Sequence, residues 1–325
     1  PLTRMDGRLV AACAGTLLAG ILAVGAGVLD QARRPLWLDE AVTRLEVTSP
    51  RGIFHALLSG VDFSPPVYAT LAKWSVELTG AAWPAAVRAP SMLAAALTIF
   101  LFGATLRTRH SLPSALAGVL ALAAHPLFLA QAFEARPYAL WILGCLLTAA
   151  ALRDGITARS TRLALASAFL CSVHYFGMLA LGSIAVGAAL HAFVVRRLTL
   201  AGTRRQLMPL AAGGVVFLAL LPLAKVQLAV TGGQSWVAPP TVADISFLLR
   251  FAWMWRPAAA LLVAGALAWL VARAASRAGR MRGDRPSTLD ATEWALLSMA
   301  LIPPGLVLVS VLYKPVMVLR YSAPV

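Results

Sequence analysis

The sequence predicts an all-α integral membrane protein: a polytopic bundle of about nine transmembrane helices, with interfacial helices in its first long extracytoplasmic loop. Three observations predict it. Of 325 residues, 60% are hydrophobic and only 13% charged, against roughly 25% charged in soluble domains. The apolar residues gather in runs that approach or reach spanning length, about 17–25 residues. The basic residues behind the formal charge of +15 stand mostly in short blocks between those runs, the pattern that sets membrane topology.

The spans are expected at 9–29, 89–106, 112–132, 137–152, 162–176, 178–195, 208–229, 257–273 and 293–313. The apolar stretch from 162 to 195 is too long for one crossing, and HYFG (174–177) offers the turn that divides it. With the N-terminus in the cytoplasm, five short inner segments hold most of the arginines, including the run ASRAGRMRGDRPS (275–287). The positive-inside rule therefore puts the N-terminus in and the C-terminus out. Residues 30–88 and 230–256 become the long extracytoplasmic loops of a single transmembrane domain covering 1–325.

Within the first loop, SPRGIFHALLSG (49–60) reads as a short helix with Ser49 as cap and Pro50 at its first position. PPVYATLAKWSVELTG (65–80) begins at proline and ends at glycine. It is too short and too charged to span, so both helices are expected to lie in the interface. Trp37, Trp74 and Trp83 suit the aromatic belt at that depth.

Composition also excludes. The positive charge carries no zinc-finger spacing, RNA-binding signature or aromatic-interleaved basic helix, so nucleic acid is not an expected partner. Cys13, Cys145 and Cys171 each sit in an apolar run, as small buried residues do. VAAC (10–13) precedes its apolar stretch rather than following it, so the first span is read as retained. The histidines show no zinc-ligand spacing, and no glycine-rich nucleotide loop appears.

What stands out is the acidic pair Asp39-Glu40 in LWLDEA (36–41), just beyond the first span. Glu134, Arg136, Tyr138, His174, Tyr175 and Arg320 fall at the same outer ends of spans, and Asp62 and Lys73 lie in the first loop. Each has a plain alternative. The acids can mark a solvated boundary, Arg136 can snorkel from a helix end, and His174 can be satisfied by backbone or interface water. Tyr138 can be an interface aromatic. Glu134 is either a second acid or the ion partner of Arg136. Lys73 pairs most simply with Glu77 four residues on. Asp62 fits a turn cap, and Arg88 an anchor at the outer end of the second span.

The ordered set LWLDEA, DFSPPVYATLAKW (62–74), VRAPS (87–91), QAFEARPYAL (131–140), HYFG, Trp236 and RYSAP (320–324) resembles the bacterial membrane glycosyltransferases of the GT-C fold. These are of the glycosyltransferase family 39 type, related to protein O-mannosyltransferases and lipid A aminoarabinose transferases. The resemblance covers essentially the whole chain. It implies a GT-C bundle in a bacterial cytoplasmic membrane, with its active site on the extracytoplasmic face. It also implies transfer of a sugar from a polyprenyl-phosphate donor to a protein, lipid or cell-wall glycan acceptor. The chain begins at Pro1 and stops five residues past Arg320, where such proteins continue, so a C-terminal truncation is expected.

The chemistry asks for few groups. A phosphate leaves as an anion and needs cations or hydrogen-bond donors, while the acceptor hydroxyl needs one base. By the resemblance Asp39 is that base. Glu40 orients it, binds acceptor or helps hold a divalent cation. Arg136 and Arg320 suit the donor phosphate, with Lys73 a further possible contact. The competing expectation is a multi-pass transporter or flippase, for which ionisable residues at mid-span and repeated halves are the signature. Here the charges sit mostly at span ends, with Lys225 the exception.

Overall fold

The computed structural model describes residues 34–60, 62–80, 84–108, 110–152, 160–195, 198–230, 241, 291–299 and 302. Among them the chain is helical, with no strand. Among the described residues three helices are long and apolar enough to cross a membrane: Ala85–Arg107, Gly177–Val194 and Leu200–Val230. Shorter apolar helices cover Leu112–Ala123, Tyr138–Ala151 and Ser160–Val173. Large apolar side chains stay exposed along them, among them Leu93, Leu97 and Phe100 on one and Val215 and Leu218 on another. Such surfaces suit hydrocarbon rather than water, and the chain is a membrane-embedded helical protein. The spans expected at 9–29 and 257–273, nearly all of the loop 230–256, Trp83, Trp236 and Arg320 lie outside the described residues.

The chain forms two compact units. The first comprises 1–146, 172–175 and 216–232. It opens with α1 (Leu38–Thr48), whose Glu40, Thr43, Glu46 and Val47 recur at helical spacing and are buried. Next come α2 (Ile53–Leu58) and α3 (Pro66–Thr79). The sequence puts a helix start at Pro50, but α2 begins three residues later. Ser49 closes α1, its N–H donating to the Glu46 carbonyl. Gly52 precedes α2 at φ +86°, a left-handed conformation that glycine adopts without strain. α3 follows the expected limits, with proline at its first position and Gly80 beyond its end.

α4 (Ala85–Arg107) covers the second expected span and begins a turn before it. At about 1.5 Å per residue its length matches a hydrocarbon core of about 30 Å. The third expected span is not one helix but two: α5 (Leu112–Ala123) and α6 (Pro126–Ala132). Pro126 has no N–H for a helical bond and disfavours helical backbone at the residue before it. His125 accordingly takes extended angles, φ −69° and ψ 122°. α7 (Tyr138–Ala151) then begins in this unit.

The second unit comprises 147–171, 176–215 and 233–325. It holds α8 (Ser160–Val173) and α9 (Gly177–Leu190), separated at HYFG as the sequence predicts, with α9 running into a π-helical turn at His191–Val195. α10 (Leu200–Leu207) passes through one 3-10 turn into α11 (Ala211–Val230), which from Val216 onward belongs to the first unit. α12 (Ala291–Ser298) packs on α9 at Gly187, where a Cβ would stand 2.4 Å from the Trp294 carbonyl oxygen. Only a glycine lets the two backbones approach so closely.

Candidate functional site

Eight of the residues singled out from the sequence fall in the first unit as parts of one polar assembly or its aromatic border: Asp39, Glu40, Asp62, Glu134, Arg136, Tyr138, His174 and Tyr175. Its foundation is α1. Helical geometry sends adjacent side chains apart, and Asp39 and Glu40 meet different surroundings. Glu40 is fully buried while Asp39 is half-buried.

Glu40 is committed on both oxygens. Oε1 accepts from Arg88 Nε at 2.7 Å and from the Ala135 N–H at 2.8 Å. Oε2 accepts from Arg88 Nη2 and from the Trp37 N–H, closing the first turn of α1. Arg88 is 4% exposed and also donates to the Arg34 and Pro35 carbonyls. The sequence expectation of Arg88 as a span anchor is thus narrowed: it neutralises Glu40 and holds the segment leading into Asp39. One turn along α1, Thr43 Oγ1 donates to the Ala135 carbonyl at 2.9 Å. The backbone of Ala135 is therefore gripped at N–H and C=O by residues three apart on one helix face.

That grip places the turn 134–136, which is itself tight, with the Arg136 N–H donating to the Glu134 carbonyl. Arg136 extends to Asp62 as a fork: Nη1 donates to Oδ2 at 2.9 Å and Nη2 to Oδ1 at 3.0 Å. Nη1 also lies 3.5 Å from the Asp39 carbonyl. Asp62 further accepts from the Phe63 N–H and Ser64 Oγ, fulfilling its expected turn-capping role as well. Burial pushes the Asp62 carboxyl up, but Arg136 and these hydrogen bonds outweigh it and hold the carboxyl below its ordinary range. Burial likewise opposes charge on Arg136, and Asp62 overcomes it, so the guanidinium is held firmly protonated.

Behind the fork, Gln227 of α11 is fully buried. Its amide donates to the Ser64 carbonyl at 3.0 Å, and its oxygen accepts from Tyr175 OH at 2.7 Å. The Tyr175 ring leans on Phe63 at 4.7 Å between centroids. His174 stacks on Trp141 at 4.8 Å and tilts against Tyr138 at 5.6 Å. Tyr138 is buried, so it is not the interface aromatic the sequence allows. Tyr68 OH donates to the Val87 carbonyl, and Ser91 Oγ lies 3.0 Å from both Tyr68 OH and the Arg136 carbonyl. Lys73 pairs with Glu77 at 3.0 Å on an exposed face of α3, the simpler of its two readings.

One acid escapes the sequence reading entirely. Glu46 lies on the α1 face of Glu40 and Thr43, buried, with Oε1 lacking a hydrogen-bond partner. Burial first, then the Asp62 charge, push its carboxyl up to about 8, with Arg136 pulling the other way. Glu, Thr and Glu at spacings of three in LDEAVTRLEVT are the signal for a polar helix face that would have revealed it. Gln227 had a signal too, as an amide inside an apolar run.

The assembly does not fit a resident divalent cation. Among the described residues no three His, Cys, Asp or Glu side chains gather as ligands, and both Glu40 oxygens are already engaged. What it offers is a half-buried carboxylate on a rigid frame, a forked arginine beside it and a protonatable buried carboxyl. Comparison with protein-family models, with curated proteins and with solved structures gives no match.

Proposed function

We propose that the chain is an integral membrane glycosyltransferase of the GT-C type, with about nine spans, the N-terminus in the cytoplasm and the site on the extracytoplasmic face of a bacterial membrane. It moves a sugar from a polyprenyl-phosphate donor to a hydroxyl of a protein, lipid or glycan acceptor, with inversion. The acceptor oxygen bonds to the anomeric carbon, the bond from that carbon to the phosphate oxygen breaks, and the lipid phosphate leaves with the electron pair. The hydroxyl proton passes to Asp39.

The observation that carries this reading is the unequal fate of the acidic pair. Glu40 is spent on Arg88, Ala135 and Trp37, while Asp39 stays half-buried at the start of the same helix, beside Arg136. A base held by a fixed neighbour is what positional catalysis asks for. In the full-length protein Asp39→Asn is expected to lower transfer from a polyprenyl-phosphate sugar by about 100-fold, with normal detergent gel filtration. Full activity in that variant would remove Asp39 as the base.

A second reading, a transporter or flippase, is favoured by Glu46. A buried carboxyl that titrates near 8 is the type of group that carries a proton with a solute. Reconstituted vesicles separate the two readings: a transporter moves its solute and leaves the glycosidic bond intact.

A further inference from the structure

The charges of the first loop are sorted by burial. Residues 34–80 hold four Lys or Arg and five Asp or Glu, so composition alone predicts no attraction to an anionic surface. The fold reverses this. Glu40 and Glu46 are buried, Asp39 is half-buried, and the Asp62 side chain is 12% exposed and held by Arg136. Of the five acids only Glu77 is exposed, and Lys73 meets it at 3.0 Å. Arg34, Arg44 and Arg51 are all exposed. The outward charge of this segment is therefore positive.

Large apolar side chains share the outward side. On α1, Leu38 and Leu45 stand seven residues apart, on the face turned away from Glu40, Thr43 and Val47. On α2, Phe54 and Leu58 stand four apart, opposite buried Ala56 and Leu57. On α3, Trp74 and Leu78 repeat that spacing, away from buried Tyr68, Ala69 and Ala72. Leu38, Phe54 and Leu78 are 78%, 67% and 87% exposed. The three helices pack on one another, and α3 packs on α4, which is long and apolar enough to cross a membrane. Their exposed apolar residues are thus fastened beside a bilayer, where burial in lipid is favourable.

Arg51 joins the two properties. Its Nη1 lies 3.3 Å from Nε2 of His55, and His55 is exposed on α2 beside Phe54. A guanidinium is therefore held at the edge of an apolar helix face, as in helices that lie on anionic membrane surfaces. The sequence expects α2 and α3 at the interface; the burial of the acids adds a choice of lipid.

We propose that the outward face of α1 and α2 docks on anionic phospholipid headgroups, with Arg44 and Arg51 at the phosphates and Leu45, Phe54 and Leu58 in the acyl boundary. Charge favours lipid over a second copy of the chain, because two copies meeting here would set arginines against arginines. The proposal rests on the membrane embedding of the chain and is independent of the transferase reading.

The test reads the face directly. Full-length protein is placed, one copy per disc, in nanodiscs of phosphatidylcholine alone and of phosphatidylcholine mixed with phosphatidylglycerol. Amide hydrogen exchange is followed over 38–58. A basic residue near an anionic surface favours docking by roughly fivefold. Exchange in α1 and α2 is expected to slow by roughly tenfold or more in the anionic discs, and high salt is expected to remove most of that slowing. Arg44→Gln with Arg51→Gln alters exposed side chains only, and in it the two lipids are expected to give the same exchange. Phe54→Ser with Leu58→Ser is expected to quicken exchange in both lipids, because apolar contact does not depend on lipid charge.

Equal wild-type exchange in the two lipids, or a difference that survives loss of both arginines, overturns the proposal. Unchanged exchange in the Phe54 and Leu58 variant does so too. Protection that appears only when a disc holds two copies would assign the face to a second chain and likewise overturn it.

Discussion

Asp62 closes both terminal nitrogens of Arg136, at 2.9 and 3.0 Å, across 74 residues of sequence. The fork locks the loop before α3 to the turn before α7. It also limits what Arg136 can do: a phosphate reaches its terminal nitrogens only by taking the place of a carboxylate that already fits them. The Nε edge alone lies outside the fork, with no hydrogen-bond partner.

Arg136→Lys keeps the charge and loses the fork, because an ammonium is a point donor. The variant is expected to unfold about 1–3 kcal/mol more easily, read as a lower midpoint of thermal unfolding in detergent. An unchanged midpoint would show that charge alone holds the two segments.

Arg88→Met leaves Glu40 charged and buried. The expected loss is about 3–5 kcal/mol. The double variant Glu40→Leu with Arg88→Met, which removes both charges, is expected to regain most of it. Thermal unfolding of the three chains in one detergent checks this, and a double variant no better than the single one would mean that the ion pair is needed in itself.

Stability should depend on pH in two windows of opposite sign. Glu46 has its carboxyl raised from 4.5 to about 8 in the folded chain, so the folded state binds the extra proton. Its contribution is full below about 4.5 and is lost as pH rises to about 8. Asp62 is held low instead; its contribution is present above its ordinary range and lost as acid protonates it. Unfolding midpoints from pH 3 to 9 are expected to decline on the alkaline side in the wild type and not in Glu46→Gln. Asp62→Asn is expected to remove part of the acid decline. Parallel profiles for all three would refute both assignments.

Tyr175→Phe removes the hydroxyl that meets Gln227 and leaves a buried amide oxygen unpaired. The expected cost is about 1–3 kcal/mol, with faster amide exchange at the top of α11. Wild-type exchange and stability would mean that Gln227 finds another donor.

The sequence made the helices plain where apolar runs had clear ends. Pro66 and Gly80 bracket α3 as expected, and HYFG does divide α8 from α9. The run 112–132 misled because its composition is continuous; the break comes from Pro126 acting on His125, a local backbone rule that hydropathy does not register. In the site, Asp62 and Arg136 were both visible, but each alone. Their union depends on which loops the bundle brings together. Glu46 was readable as part of the polar face at 40, 43 and 46, but not as buried, and burial is what changes its chemistry. The divergence of Asp39 from Glu40 was legible, because helix geometry requires it of neighbours.

The grip of Glu40 also sets a timetable. Its partners Arg88 and Ala135 lie 48 and 95 residues further along. At ribosomal rates of about 5–20 residues per second, the carboxylate waits roughly 2–10 seconds for the first and roughly 5–20 seconds for the second. Through that interval the acid has its local Trp37 N–H but neither of its long-range partners. The site is completed only after the helix bearing Arg88 has been delivered to the bilayer and the turn at Ala135 has followed it. Its final form is thus a record of membrane insertion having gone in order.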